Sequence, residues 1–404
     1  MKPLEGVKVV DLTTFLAAPT SARVLGEWGA DVIKVESFSG DPGRTQGAVF
    51  GMPYTDEENL GFDMSNMNKR FMTINLKNQK GMEVMEKLLA DADVFITNIR
   101  THSLKKLGLD YDSLKAKYPK LIWAQCLGYG EAGPEKDTAG FDVTCYMARG
   151  GVFGTTVEKD SNPMIPTNGY GDFQVAMCIA SGICAALFNR QRTGTGEKVT
   201  VSLHHAAAFM LSTAVVSAQY GNAYPKSRFE VICPTNNVYR TKDNKLLAMC
   251  APQYDRDYNK IMKLLGRDDL VDNPDYCNCD HLNELGKNRE VVEILDKAIA
   301  GFTQKEILKL FKDNDVPCEA CYQPLDMYED EQVWANGVMT KLDCPSGKRN
   351  ISTVPVKFGS YQPQFKVTAA QGTDTAEIMQ ELGYSENEIS EYIAEGAVRG
   401  KTSL

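Results

Sequence analysis

The segment Asn168-Gly169-Tyr170-Gly171-Asp172-Phe173 sets a carboxylate directly after two glycines and directly before a long run of small and apolar residues. The glycines leave the backbone bare, so a bulky ligand can come close to Asp172. The same pattern predicts a helix over residues 173–190 with Asp172 as its N-cap, a position that Asp favours. The two roles are compatible. A helix N-terminus stabilises negative charge and keeps a carboxylate ionised, as a nucleophile must be.

Other reactive side chains carry less. His204 and His205 open a second apolar helix, but no Ser or Cys in a recognisable nucleophile elbow faces them, so they read as packing or solvated residues. Cys277-Asn278-Cys279-Asp280-His281 and Cys318-Glu319-Ala320-Cys321 do not make the paired CxxC pattern of a structural zinc site, so no metal is expected. Gly128-Tyr129-Gly130-Glu131-Ala132-Gly133 has GxGxxG spacing after a strand, which superficially signals a dinucleotide. That fingerprint should open a helix, whereas Pro134 and Asp137-Thr138-Ala139-Gly140 follow here. These glycines read as turn punctuation.

The elements that position these groups have the rhythm of an α/β fold. Residues 7–12 and 31–35 read as strands around a helix that Pro19 starts and Gly29 ends. The rhythm recurs with helices near 80–92 and 111–118 and strands at 93–97 and 121–127, then a strand at 198–203 and a helix from 204 to about 220. Successive strand–helix–strand units imply a parallel sheet, with ligands outside the carboxyl ends of its strands. Residues 236–240 and 246–250 flank Lys242-Asp243-Asn244 as a hairpin, helices follow near 254–265 and 288–300, and Thr303-Gln304-Lys305-Glu306 is a capping box. The expected division is a large domain over 1–200, completed by 330–404, a linker helix over 201–224, and a smaller α+β domain over 225–325. Two short helices, near 374–382 and 386–394, end the chain.

At 404 residues and 43% hydrophobic content, the chain can bury a large core. Its N-terminus has no apolar signal region, its most apolar stretch, residues 175–188, suits a buried helix, and its 11 cysteines read as reduced thiols, so a cytoplasmic protein without a membrane span is expected. A net charge of −9 argues against nucleic acid or an anionic membrane as partner.

A set of short motifs in a fixed order resembles family III CoA-transferases across nearly the whole chain. They are Leu4-Glu5-Gly6-Val7-Lys8-Val9-Val10-Asp11, Gly29-Ala30-Asp31-Val32-Ile33-Lys34-Val35-Glu36, Gly40-Asp41-Pro42-Gly43-Arg44, Asn66-Met67-Asn68-Lys69-Arg70, the turn at Gly128, Gly171-Asp172, and Arg192-Thr193-Gly194-Thr195-Gly196. The chain looks most like the 2-hydroxyacyl-CoA transferases of amino-acid-fermenting anaerobes. The resemblance implies a Rossmann-like large domain, a small domain and an interlocked homodimer. It also implies that Asp172 attacks an acyl-CoA thioester, passing through a mixed anhydride and an aspartyl-CoA thioester, with CoA moved to a 2-hydroxy acid such as (R)-2-hydroxyisocaproate or a phenyllactate-like acid.

No tightly bound cofactor is then needed, because coenzyme A enters as the substrate thioester. The resemblance places CoA against Lys69, Arg70, Asn98, Arg100 and Lys106, with Phe15, Ala17 and Gly171 alongside. The chain also departs from its relatives. Leu16 and Ser37 replace a glutamine and an arginine of the formyl-CoA transferases, and no run of four glycines occurs in 220–235. Racemisation of a 2-methylacyl-CoA, the alternative on this fold, uses a histidine of a Gly-His-Asp motif where this chain has Gly140-Phe141-Asp142. Phenylalanine cannot shuttle a proton.

Overall fold

The computed structural model describes residues 1–403, and the chain folds into two compact units. The first comprises Met1–Val152, Ile165–Val215 and the chain from Gln332 onward; the second comprises Phe153–Met164 and Val216–Glu331.

The first unit is built on a seven-stranded sheet. Strands β1 (Lys8–Leu12), β2 (Asp31–Glu36), β3 (Arg70–Ile74), β4 (Val94–Thr97), β5 (Ile122–Leu127) and β6 (Lys198–Ser202) are parallel in the order β3-β2-β1-β4-β5-β6, and the short strand Val398–Arg399 adds antiparallel to β3. This is the doubly wound Rossmann order. The strands read as nearly continuous apolar runs because helices cover both faces: Val94, Phe95 and Ile96 of β4 and Ile122, Trp123 and Ala124 of β5 are all buried. The order reverses between β1 and β4. Their connections leave in opposite directions and open a crevice at the carboxyl ends of the two strands.

Local sequence explains the helices. Asn78 caps Gln79–Ala90 by accepting from the amides of Lys80 and Gly81, and Asp110 caps Tyr111–Lys117 through the amide of Ser113. The helix Ala17–Glu27 is buried along nearly its whole length and packs on the long helix Tyr170–Thr193, where small residues on both partners permit close approach. A Cβ at Gly182 of the long helix would lie 2.7 Å from Cγ1 of Val199 on β6. Among the described residues this is the one helix long and apolar enough to cross a membrane, and its Val175, Ala176, Ile179, Ala180 and Ile183 are buried in the protein core.

This helix begins at Tyr170, not at residue 173, so Asp172 sits inside its first turn and does not cap it. Gly169 takes the N-cap position with φ +79°. A left-handed residue there turns the chain into the helix three residues earlier than the apolar pattern indicates.

The second unit holds its own core. Strands Asn236–Arg240, Leu246–Cys250 and Cys318–Ala320 form an antiparallel sheet, against which Tyr258, Ile261, Val292, Leu295, Ile307 and Phe311 from three helices are buried. The capping box at Thr303 forms as its spacing predicts, with Glu306 accepting from the Thr303 amide at 2.7 Å.

Candidate active site

The loop after β1 and the loop after β4 meet at the reversal point. The Thr14 amide donates to Oδ1 of Asn98 at 3.0 Å, and Nδ2 of Asn98 donates back to the Thr14 carbonyl at 2.7 Å. Together with the loop after β5 they line a cleft of ≈ 240 Å³ that holds Asp172. Phe15, Leu16, Phe141 and Leu203 give it an apolar wall, and Asn98, Arg100 and Lys136 a polar one.

Beneath the first loop lies a buried ionic network. Lys34 pairs with Asp41 at 2.9 Å, Lys69 with Asp11 at 2.7 Å, and Arg44 with Glu36 at 2.6 Å, all almost completely shielded from solvent. Burial drives the Asp11 carboxyl up, but Lys69 and Lys34 beside it prevail and hold it below the usual carboxylate range. The network grips the loop. Nζ of Lys34 donates to the Thr13 carbonyl, and Oδ1 of Asp41 accepts from the Phe15 amide at 3.1 Å.

Asp172 has two close influences. Burial, then the charge of Asp142, raises its pKa to about 7. The expectation that the helix N-terminus keeps Asp172 ionised is therefore corrected: burial and Asp142 act against the ionised form. Asp142 itself serves as the missing cap of the long helix, its Oδ1 accepting from the Gly171 amide at 3.0 Å. A Cβ at Gly171 would lie 2.2 Å from Cγ of Tyr146 and 2.5 Å from Oδ1 of Asp142. Glycine is thus required at 171 by the protein's own side chains, and that face of the backbone is already filled.

The remaining expected residues separate into two groups. Asn98, Arg100, Phe15 and Ala17 line the cleft with Asp172. Lys106 is exposed in the last turn of the helix Thr101–Leu107 and does not line the cleft. Lys69 and Arg70 lie elsewhere. The three donors of Lys69 go to Asp11, Asn66 and the Pro19 carbonyl, so none is left for a phosphate. Arg70 begins β3, and its guanidinium is taken up by Asp31 and Glu381. A role for these two in holding phosphate does not fit this geometry.

Two residues escaped the sequence reading. Lys136 lies in the extended stretch after the glycine turn, and Asp142 stood only for an absent racemase motif. The glycine loop after β5 opens no α-helix, as its Pro134 indicated; Gly128 and Gly140 instead touch backbone to backbone beside Cys145. His204 sits beside the Tyr129 ring, 6.3 Å between centroids, and neither histidine lines the cleft. Among the described residues no group of three His, Cys, Asp or Glu side chains is placed to hold a metal ion.

A carboxylate at the reversal point of a Rossmann sheet, with apolar residues on one side and cations on the other, suits covalent capture of an acyl group from a phosphate-bearing carrier. The sequence profile of CoA-transferase family III matches residues 4–375. The chain belongs to that family. The enzyme is 41% identical over 391 residues to the cinnamoyl-CoA:phenyllactate CoA-transferase of Clostridium sporogenes, an alignment covering 96% of this chain and 95% of the relative. It is 40% identical over 402 residues to the (R)-2-hydroxy-4-methylpentanoate CoA-transferase of Clostridioides difficile, covering 98% and 99%. Among solved structures, a CAIB/BAIF family protein from Brucella suis superposes with a TM-score of 0.79 at 27% identity, over 94% of this chain and 99% of the other. This CoA-transferase therefore shares both fold and full length with its relatives.

Proposed function

We propose that this CoA-transferase moves CoA from an acyl-CoA, either a 2-hydroxyacyl- or an enoyl-CoA, to a free 2-hydroxy acid with an aliphatic or aromatic side chain. The observation that carries the reading is Asp172 itself: a partly buried carboxylate in the crevice at the reversal point, next to apolar side chains and with cations within the same cleft. The names of the two relatives near 40% identity, one acting on phenyllactate and one on a branched 2-hydroxy acid, support this substrate class.

The chemistry follows from the carboxylate. Ionised Asp172 attacks the thioester carbonyl and CoA leaves as its thiolate, giving a mixed anhydride. The thiolate attacks the aspartyl carbonyl, the donor acid leaves, and an aspartyl-CoA thioester remains. The incoming acid reverses both steps and departs as its own CoA thioester. One thioester replaces another of similar energy, so no ATP and no tightly bound cofactor enters the balance. Asn98, Arg100 and Lys136 are the groups we assign to the nucleotide end of CoA, with Lys106 on the helix that follows Arg100, and Phe15 and Ala17 flank the path to Asp172. Arginine and lysine suit phosphate oxygens by charge and donor number. Phe141, where the racemases carry a proton-shuttling histidine, weighs against the racemase alternative.

The enzyme is further proposed to work as an interlocked homodimer in the cytoplasm of an amino-acid fermenter. Phe188 on the long helix is 63% exposed, and Phe209 and Met210 are 69% and 46% exposed, an apolar surface that a second copy of the chain would cover.

The test is direct. Enzyme incubated with cinnamoyl-CoA or another acyl-CoA and a panel of free acids is followed by mass spectrometry of the CoA products. Formation of 2-hydroxyacyl-CoA by the wild type but not by Asp172→Asn supports the proposal; equal turnover by Asp172→Asn refutes it.

A further inference from the structure

The rings of Phe15 and Phe141 meet edge to face in the cleft that holds Asp172, with centroids 5.7 Å apart and planes at 89°. Neither ring is buried in the core: Phe15 is 38% and Phe141 54% exposed, whereas Asp172 is partly buried. Phe15 adopts φ +66°. A bulky aromatic side chain in the left-handed region is an outlier that persists only where its surroundings over-determine it.

Those surroundings are explicit. Lys34 holds the carbonyl of Thr13, Asn98 holds both backbone polar groups of Thr14, and Asp41 holds the amide of Phe15. Three consecutive residues are thus fixed by side chains from three other segments. On the opposite side the Phe141 amide donates to Oγ1 of Thr144 at 3.1 Å, and the next residue, Asp142, is tied to the helix that carries Asp172. A strained backbone supported from several directions, ending in a ring that meets a second ring at the cleft, requires a reason beyond stability.

We propose that Phe15 and Phe141 form an aromatic gate that keeps water from the acylated and CoA-loaded forms of Asp172. The proposal rests on the transferase reading above. Both covalent intermediates are prone to hydrolysis: water adding to the aspartyl carbonyl of the CoA-loaded form breaks the C–S bond, regenerates the carboxylate and releases CoA thiol with the transferred proton. Excluding water from a reactive intermediate is an established use of a closed site. The two rings meet in the cleft that holds Asp172 and are placed for that task.

The experiment measures how turnover divides between CoA transfer and thioester hydrolysis. Free thiol release and acyl-CoA product are quantified in parallel for wild type, Phe141→Ala, Phe141→Leu and Phe15→Ala, with hydroxylamine capture at Asp172 as a separate readout. Expected is a rise of about tenfold in the hydrolysis-to-transfer ratio for Phe141→Ala and Phe15→Ala, a partial return with Phe141→Leu, and hydroxamate still formed at Asp172 in the two Phe141 variants. Because the Phe141 ring is largely exposed, Phe141→Ala is expected to fold, which its thermal melt checks. An unchanged ratio in Phe141→Ala with hydroxamate intact overturns the gate and leaves the transferase reading standing. Absence of hydroxamate in the wild type overturns the transferase reading, and the gate with it.

Discussion

At the scale of the residue, Asp172 is set by two opposed influences. The first turn of a helix favours a carboxylate, whereas burial and the neighbouring Asp142 raise its pKa to about 7. In the proposed reaction the ionised form is the nucleophile, so kcat/KM should climb as pH rises through about 7 and level off above it. Asp142→Asn keeps an oxygen for the Gly171 amide but removes the charge, so the climb should shift to lower pH; a pH–rate profile unmoved by this substitution contradicts the assignment. Stability follows the same linkage. A raised folded-state pKa favours the fold below the ordinary aspartate value of 3.8 and loses that advantage as pH rises through about 7. Asp172→Asn escapes the loss, so its stability margin over wild type should widen by on the order of 2 kcal/mol between about pH 5 and about pH 8. Denaturant titrations at the two pH values measure this, and a constant margin would contradict it.

What was legible at this scale was a carboxylate within reach of a ligand, because Gly-Asp before a small-residue helix is a local pattern and Asp172 does line the cleft; its role as nucleophile came from the family resemblance. Lys69 shows what was not legible. A lysine in a polar motif reads as a surface cation, and nothing local reveals that Asp11, 58 residues earlier, will be brought to 2.7 Å from it. Asp142 was missed for the same reason, since it caps a helix that begins 28 residues later in the chain.

At the scale of the element, the site depends on how firmly the loop after β1 is held. Lys34 and Asp41 are both essentially inaccessible to solvent, and removing one partner leaves the other as an uncompensated buried charge. Lys34→Met should therefore cost about 3–5 kcal/mol, measured by chemical denaturation; a loss below about 1 kcal/mol would mean that the pair does not anchor the loop. The alternation of strands and helices was readable in the first third because apolar runs, glycine stops and capping residues coincide there. The hairpin of Met339–Cys344 and Gly347–Ser352 was not, since its exposed, polar strands lack an apolar period. β3 was hidden as well, its start taken up by a motif that read as a ligand loop.

At the scale of the whole molecule, the long helix that carries Asp172 at its first turn leaves Phe188 exposed near its end. If a second copy covers this surface, Phe188→Glu should shift the protein toward the monomer in sedimentation and reduce turnover along with it. A variant that sediments as wild type would remove this face from the interface.

The proposed reaction turns on covalent chemistry at Asp172. Its most direct measurement is peptide mass spectrometry after incubation with an acyl-CoA and hydroxylamine, which captures an activated carboxyl as a hydroxamate. Modification of the peptide containing Asp172 is expected in the wild type and none in Asp172→Asn. No modification with any donor, together with exchange of the acyl α-proton for deuterium, would contradict it and point to racemisation.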